Sequence, residues 1–222
     1  MNDEKMRVAA VVFDLDGTLI ESIHVSFIVL NTALERVGLP PVAWEDVLDT
    51  ARKGHFDWNI LLPGKDEVRE RELLLEARKI IGQIQPEILR REVRLIQGAV
   101  ETLKILRAGG LRIGLVTATR RMYLEGKLHC LKEAGVNGWF EVILTTDDVT
   151  RRKPYPEPLI ECGQKMGLHP EKMVYVGDTW VDIRTGKTAG TKTIGVLTGL
   201  DDYDALLAEE PDAILESVRD LK

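Results

Sequence analysis

Two carboxylates, Asp14 and Asp16, stand one residue apart between the apolar run from Val8 to Phe13 and the dipeptide Gly17-Thr18. The run is rich in β-branched residues and bounded by a turn signal, which predicts a buried strand. Residues i and i+2 of a strand share a side. Both acids therefore start from one strand's carboxyl end, where Gly17 lets the chain turn sharply. An ordinary strand-to-loop junction accounts for one Asp and a Gly. It accounts less well for two acids, because neighbouring carboxylates beside a buried strand repel unless a cation lies between them.

Later apolar runs end in the same way. Leu115-Val116 runs into Thr117-Ala118-Thr119. Ile143-Leu144 runs into Thr145-Thr146-Asp147-Asp148, with Arg151-Arg152-Lys153-Pro154 soon after. Val174-Tyr175-Val176 runs into Gly177-Asp178-Thr179, with Asp182 four residues beyond Asp178. If these strands are parallel neighbours, their ends converge on one crevice. That crevice gathers Asp14, Asp16, Asp178 and Asp182 with Thr117 and Lys153. Four carboxylates form a hard-oxygen donor set suited to Mg²⁺ rather than zinc. A lysine and a hydroxyl beside them suit a phosphoryl group, whose charge needs donors and a cation. Thr119 fits the role of helix N-cap, which leaves Thr117 for the ligand. Asp147 and Asp148 read as loop or capping residues.

The elements that must position these groups follow from periodicity. After the opening strand, helices are expected over Ser22–Val37, Ala43–Ala51, Asp66–Gly82 and Pro86–Arg91, with no strand between Ile20 and about Arg94. From Leu95 the pattern alternates. Helices at 99–108, 121–134, 157–166, 180–189, 203–208 and 216–221 interleave with strands at 111–116, 141–145, 173–176, 192–197 and 213–215. Such alternation implies an α/β fold, a doubly wound parallel sheet covered on both faces. The helical block implies a separate lid-like subdomain, with the core at 1–20 and 95–222 and the cap at 21–94. His24, Arg52, Lys53 and His55 in that block are candidates to read the rest of a substrate.

Composition narrows the partners. The 222 residues suit one medium domain or a core plus a small second one, and 44% apolar residues suffice for a real core. A net charge of −6 argues against a general nucleic-acid or anionic-membrane surface. No apolar stretch approaches the length of a membrane span. Cys130 and Cys162 form no CxxC pair, and the N-terminus lacks the layout of a signal peptide, so a cytoplasmic location is expected. The scattered histidines give no zinc cluster.

Asp14-Leu15-Asp16-Gly17-Thr18, Thr117, Lys153-Pro154 and Gly177-Asp178-Thr179-Trp180-Val181-Asp182 match, in order, the four motifs of the haloacid dehalogenase-like superfamily, which the chain resembles over essentially its whole length. The helical insertion is similar to the cap of its phosphoglycolate phosphatase and β-phosphoglucomutase branches. The resemblance implies a Rossmann-like core with sheet order 5-4-1-2-3. It implies a Mg²⁺-dependent phosphatase acting on a small phosphorylated metabolite, as monomer or homodimer. A phosphomutase and a non-hydrolytic phosphoacceptor are the alternatives. Asp14 takes the place of the nucleophile and Asp16 that of the general acid and base. The Asp14 carboxylate, the Asp16 backbone carbonyl and Asp178 would hold the metal, with Asp182 bonding a metal water or Lys153. Thr117, the Ala118 N–H and Lys153 would take the phosphate. Asp16 separates the chain from true dehalogenases, whose first motif lacks that carboxylate. Ala118 stands where relatives often carry Asn, and Glu21 where an Asp is common.

Overall fold

The computed structural model describes residues 8–52 and 67–221. Its centre is a six-stranded, all-parallel sheet. The strands are β1 (Ala10–Phe13), β4 (Arg112–Val116), β5 (Phe140–Leu144), β6 (Met173–Gly177), β7 (Lys192–Val196) and β8 (Ala213–Leu215), in the spatial order β5-β4-β1-β6-β7-β8. This is the expected five-strand order with one more strand at the β7 edge. The strands carrying the first and last acidic motifs, β1 and β6, are neighbours.

The period of two along β1 sorts its side chains onto two faces. Val11 and Phe13 join the larger core cluster, with Leu103, Leu115 and Leu131. Ala10 and Val12 join the other, with Leu159, Cys162 and Met166. The first face is covered by α4 (Ala99–Ala108) and α5 (Arg121–Glu133), the second by α6 (Glu157–Met166) and α7 (Trp180–Ala189). Helix α8 (Tyr203–Ala208) leads into β8.

Between β1 and β4 lie α1 (Ile23–Arg36), α2 (Trp44–Arg52) and α3 (Glu67–Glu92). They share a cluster of their own that includes Leu30, Ala33, Leu34, Val47, Leu74 and Ala77. Three expectations need correction. The helices expected at 66–82 and 86–91 are one continuous α3, with Pro86 inside it. Pro86 has no N–H to donate to Gly82, a loss worth about 3 kcal/mol in a helix interior. Packing on both sides of the break offsets this, since Leu74 and Ala77 pack in the cap cluster and Leu89 and Val93 in the main core. The stretch from Ile20 to Leu95 is also not strand-free. Ile20–Glu21 (β2) pairs antiparallel with Arg94–Leu95 (β3), tying the entry and exit of the helical block together. Third, the helix expected at 216–221 is a single 3-10 turn, Val218–Asp220. Among the described residues no helix is long and apolar enough to cross a membrane.

Candidate active site

The strand register builds the site. Phe13 is level with Leu115 on one side and Val176 on the other. Asp14 continues that ladder by donating its N–H to the Val176 carbonyl at 2.8 Å. Thr117 and Asp178 therefore emerge one residue beyond Asp14's level on the two flanking strands. Asp14, Asp178 and Asp182 are all buried, and each offers an oxygen within 4.8 Å of the others.

Lys153 reaches this group from the loop between β5 and α6. Its ammonium donates to Asp14 Oδ1 and to Asp182 Oδ1, both at 2.6 Å, and to the Tyr175 hydroxyl at 3.0 Å. The Tyr175 hydroxyl lies 3.0 Å from both the Val116 carbonyl and Asp182 Oδ1. Asp182 is also the N3 residue of a capping box that starts α7. Its Oδ2 accepts from the Thr179 hydroxyl at 2.6 Å and the Thr179 N–H at 3.2 Å. Both of its oxygens are thus engaged, so Asp182 braces Lys153 and the helix start together.

Asp178 is held differently. Thr18 donates to its Oδ1 at 3.3 Å and the Leu200 N–H to its Oδ2 at 2.9 Å. Two glycines make room for it. Gly17 has φ of 74°, and a Cβ there would come within 2.6 Å of the Asp178 carboxyl carbon. Gly199 packs against the same carboxylate.

The two acids of the first motif part company in the folded chain. Asp14 faces Lys153 and Asp178. The Asp16 side chain is instead bonded by Lys127 Nζ at 2.6 Å, by the Thr119 hydroxyl at 2.7 Å and by the Ser22 hydroxyl. Its carboxylate stands outside the close group of Asp14, Asp178 and Asp182. Of the four acids read from the sequence, then, three come together by their side chains. Thr119 is not the helix N-cap either. Arg120 holds that position, and the Thr119 hydroxyl is spent on Asp16. Thr117 is buried and accepts the Thr119 N–H at 3.0 Å, while Ala118 is exposed.

The electrostatics follow from burial. Desolvation pushes the Asp14 carboxyl up to about 7 despite Lys153, with Asp182 and Asp16 adding to the rise. Burial, with Asp182 and Asp14 alongside, raises Asp178 well above the usual carboxylate range. These acids share a space that lacks enough positive charge to ionise them all. Asp16 goes the other way. Burial opposes its ionisation, but the charge and hydrogen bond of Lys127 and the two hydroxyls outweigh it, and its carboxyl is held low. Lys153 is kept charged by Asp14 and Asp182 against its own burial.

A cavity of about 470 Å³ opens beside these groups, lined by Asp16, Lys127 and Asp178 from below and by His24, Ser26 and Val47 from the helical block. Arg52 is not among its lining residues. It donates through Nε to the Leu200 carbonyl at 3.1 Å, and its own carbonyl accepts from the Trp180 indole at 3.1 Å. Lys53 and His55 lie outside the described residues.

Sequence reading missed Lys127, Tyr175 and Gly199. Lys127 left a signal: with Leu124 and Leu131 it occupies one face of α5 at i, i+3 and i+7, a charge where the helix buries leucines. Tyr175 left none, because every residue of β6 is buried.

A sequence profile of the haloacid dehalogenase-like hydrolases matches residues 11–196. The phosphoglycolate phosphatase of Salmonella paratyphi A is 31% identical, with 97% of this chain and 91% of that protein covered. The phosphoglycolate phosphatase of Escherichia coli K12 is 30% identical, with coverage of 96% and 91%. Among solved structures, a Bacteroides fragilis protein classed as a haloacid dehalogenase-like hydrolase superposes with a TM-score of 0.79 at 25% identity, covering 97% of this chain and all of its own.

Proposed function

The chain belongs to the haloacid dehalogenase-like hydrolase family and is a phosphatase within it, and we propose that it hydrolyses a small phosphomonoester of the phosphoglycolate kind through a phosphorylated Asp14. The observation that carries this reading is the buried group of Asp14, Asp178 and Asp182 with Lys153 at the ends of adjacent strands. The named relatives, which match along nearly the whole chain, support the substrate class.

The donor set fits a divalent cation. Three buried carboxylates each offer an oxygen within 4.8 Å of the others, and burial raises the proton affinity of two of them. Asp14 and Asp178 would hold Mg²⁺ with the Asp16 backbone carbonyl, while Asp182, whose oxygens are engaged, would stay one step back. When bound, the ion screens the negative charge of the phosphoryl group and of its attacker.

The chain's own residues then divide the work. Lys153 and the Thr117 hydroxyl bind phosphoryl oxygens, and Lys153 holds the Asp14 carboxylate in place. An Asp14 oxygen attacks phosphorus while the bond to the substrate's ester oxygen breaks. Asp16 gives that oxygen its proton, leaving a free alcohol. Asp16 next takes a proton from water as the water attacks phosphorus, which releases phosphate and restores Asp14. The low proton affinity of Asp16 at rest describes its base form. Lys127 beside it favours that form.

Phosphate release from 2-phosphoglycolate tests the reading. Turnover is expected with Mg²⁺, to stop with EDTA, and to vanish in Asp14→Asn. An undiminished rate in that variant overturns the mechanism.

A further inference from the structure

Lys153 already serves the phosphoryl side of the site, so a second, partly buried lysine beside the cavity needs its own explanation. The Lys127 side chain is 12% exposed and rises from core helix α5 rather than from a loop. Its ammonium has three N–H groups. They meet Asp16 Oδ1 at 2.6 Å and Thr119 Oγ1 at 3.0 Å, and the side chain also lines the open cavity. Asp16 lines the same space, so Lys127 presents its charge where a leaving group bonded to Asp16 would lie. His24, Ser26 and Val47 face it from the helical block, so whatever enters lies between Lys127 and those side chains.

We propose that Lys127 is a specificity-determining residue that binds a carboxylate on the leaving group, selecting phosphate esters of 2-hydroxycarboxylic acids. The inference rests on the phosphatase reading, in which Asp16 serves the leaving oxygen. With Lys127 Nζ 2.6 Å from Asp16, and a hydrogen bond of about 2.7 Å from Asp16 to the leaving oxygen, the ammonium stands within roughly 5 Å of that oxygen. A carboxylate on the carbon bearing the ester oxygen fits that span. An anion several carbons further out overshoots it. The side chain that holds Asp16 at rest is then the one the substrate's carboxylate recruits.

The test compares the wild type with Lys127→Met and Lys127→Arg on 2-phosphoglycolate and on ethyl phosphate, which has a neutral leaving group of similar size. The kcat/KM ratio of the two substrates is expected to favour phosphoglycolate by at least tenfold in the wild type. It should fall to near one in Lys127→Met and recover in part in Lys127→Arg. An equal loss on both substrates, or a ratio that survives Lys127→Met, overturns the proposal. A second arm does not depend on turnover. Calorimetry on Asp14→Asn and on Asp14→Asn/Lys127→Met compares affinity for 2-phosphoglycolate with affinity for inorganic phosphate. A tenfold drop in that ratio upholds the carboxylate site even if no hydrolysis is seen, which would then count against the phosphatase reading alone. An unchanged ratio, or no binding of 2-phosphoglycolate, overturns it.

Discussion

Gly199 packs its α-carbon against the carboxylate of Asp178, with no room between them for a methyl group. The contact is backbone against a side chain fixed by Thr18 and the Leu200 N–H, so neither partner can swing aside cheaply. Gly199→Ala is expected to push Asp178 off its position, at an overpacking cost of about 1–3 kcal/mol. Calorimetric titration should show Mg²⁺ affinity reduced at least tenfold, with a lower melting temperature.

Asp14 gives the metal-free protein a defined pH dependence. Its folded proton affinity is raised to about 7, against 3.8 as the ordinary value. Between those values the folded state holds a proton that the unfolded chain has lost, so stability falls as pH rises through this window. Thermal melts in EDTA should show the melting temperature dropping from pH 4 towards pH 7 and beyond. Asp14→Asn should make the curve shallower, with the raised Asp178 supplying what remains of the slope. Mg²⁺ at 100 times its Kd should restore about 2.7 kcal/mol at pH 8.

Lys153 is the cation that lets two buried acids coexist. In Lys153→Met, Asp14 and Asp182 keep their burial and lose their partner, which costs about 3–5 kcal/mol for a buried pair. Denaturant unfolding should show that loss, and phosphatase activity should be lost with it. Tyr175→Phe is milder. It removes a hydroxyl in contact with Lys153, Asp182 and the Val116 carbonyl, for about 1 kcal/mol.

Trp180 and Arg52 join the helical block to the core beside the buried acids. The Trp180 indole donates to the Arg52 carbonyl, Arg52 donates to the Leu200 carbonyl, and the Leu200 N–H holds Asp178. Trp180→Phe removes the first link while leaving a ring for Arg184 to stack on. The expected result is a several-fold higher KM with a smaller change in kcat, read from steady-state kinetics.

The parts of the site that were legible in the sequence sit at strand ends. There an apolar run meets a polar group, and parallel pairing brings such junctions to one place. Asp14, Asp178 and Lys153 were readable for that reason. The opposed roles of Asp14 and Asp16 were not a matter of spacing. They follow from partners that are 103 to 139 residues away in the chain, Thr119 and Lys127 for Asp16 and Lys153 for Asp14. Helix α3 was misread because Gly82 and Pro86 are local break signals, whereas the packing that keeps the helix whole is tertiary.

That continuity makes α3 one rod shared by cap and core. Its 26 residues span about 39 Å. Near its end, Leu89 and the Pro86 carbonyl press on Gly126 of α5, where an added Cβ would lie 3.1 Å from Leu89 Cβ and 3.2 Å from that carbonyl. Gly126 thus marks a close contact one position before Lys127. The other end of the rod packs with α1 in the cap cluster. A bulkier residue at position 126 would therefore be felt at Lys127 and in the seating of the cap together.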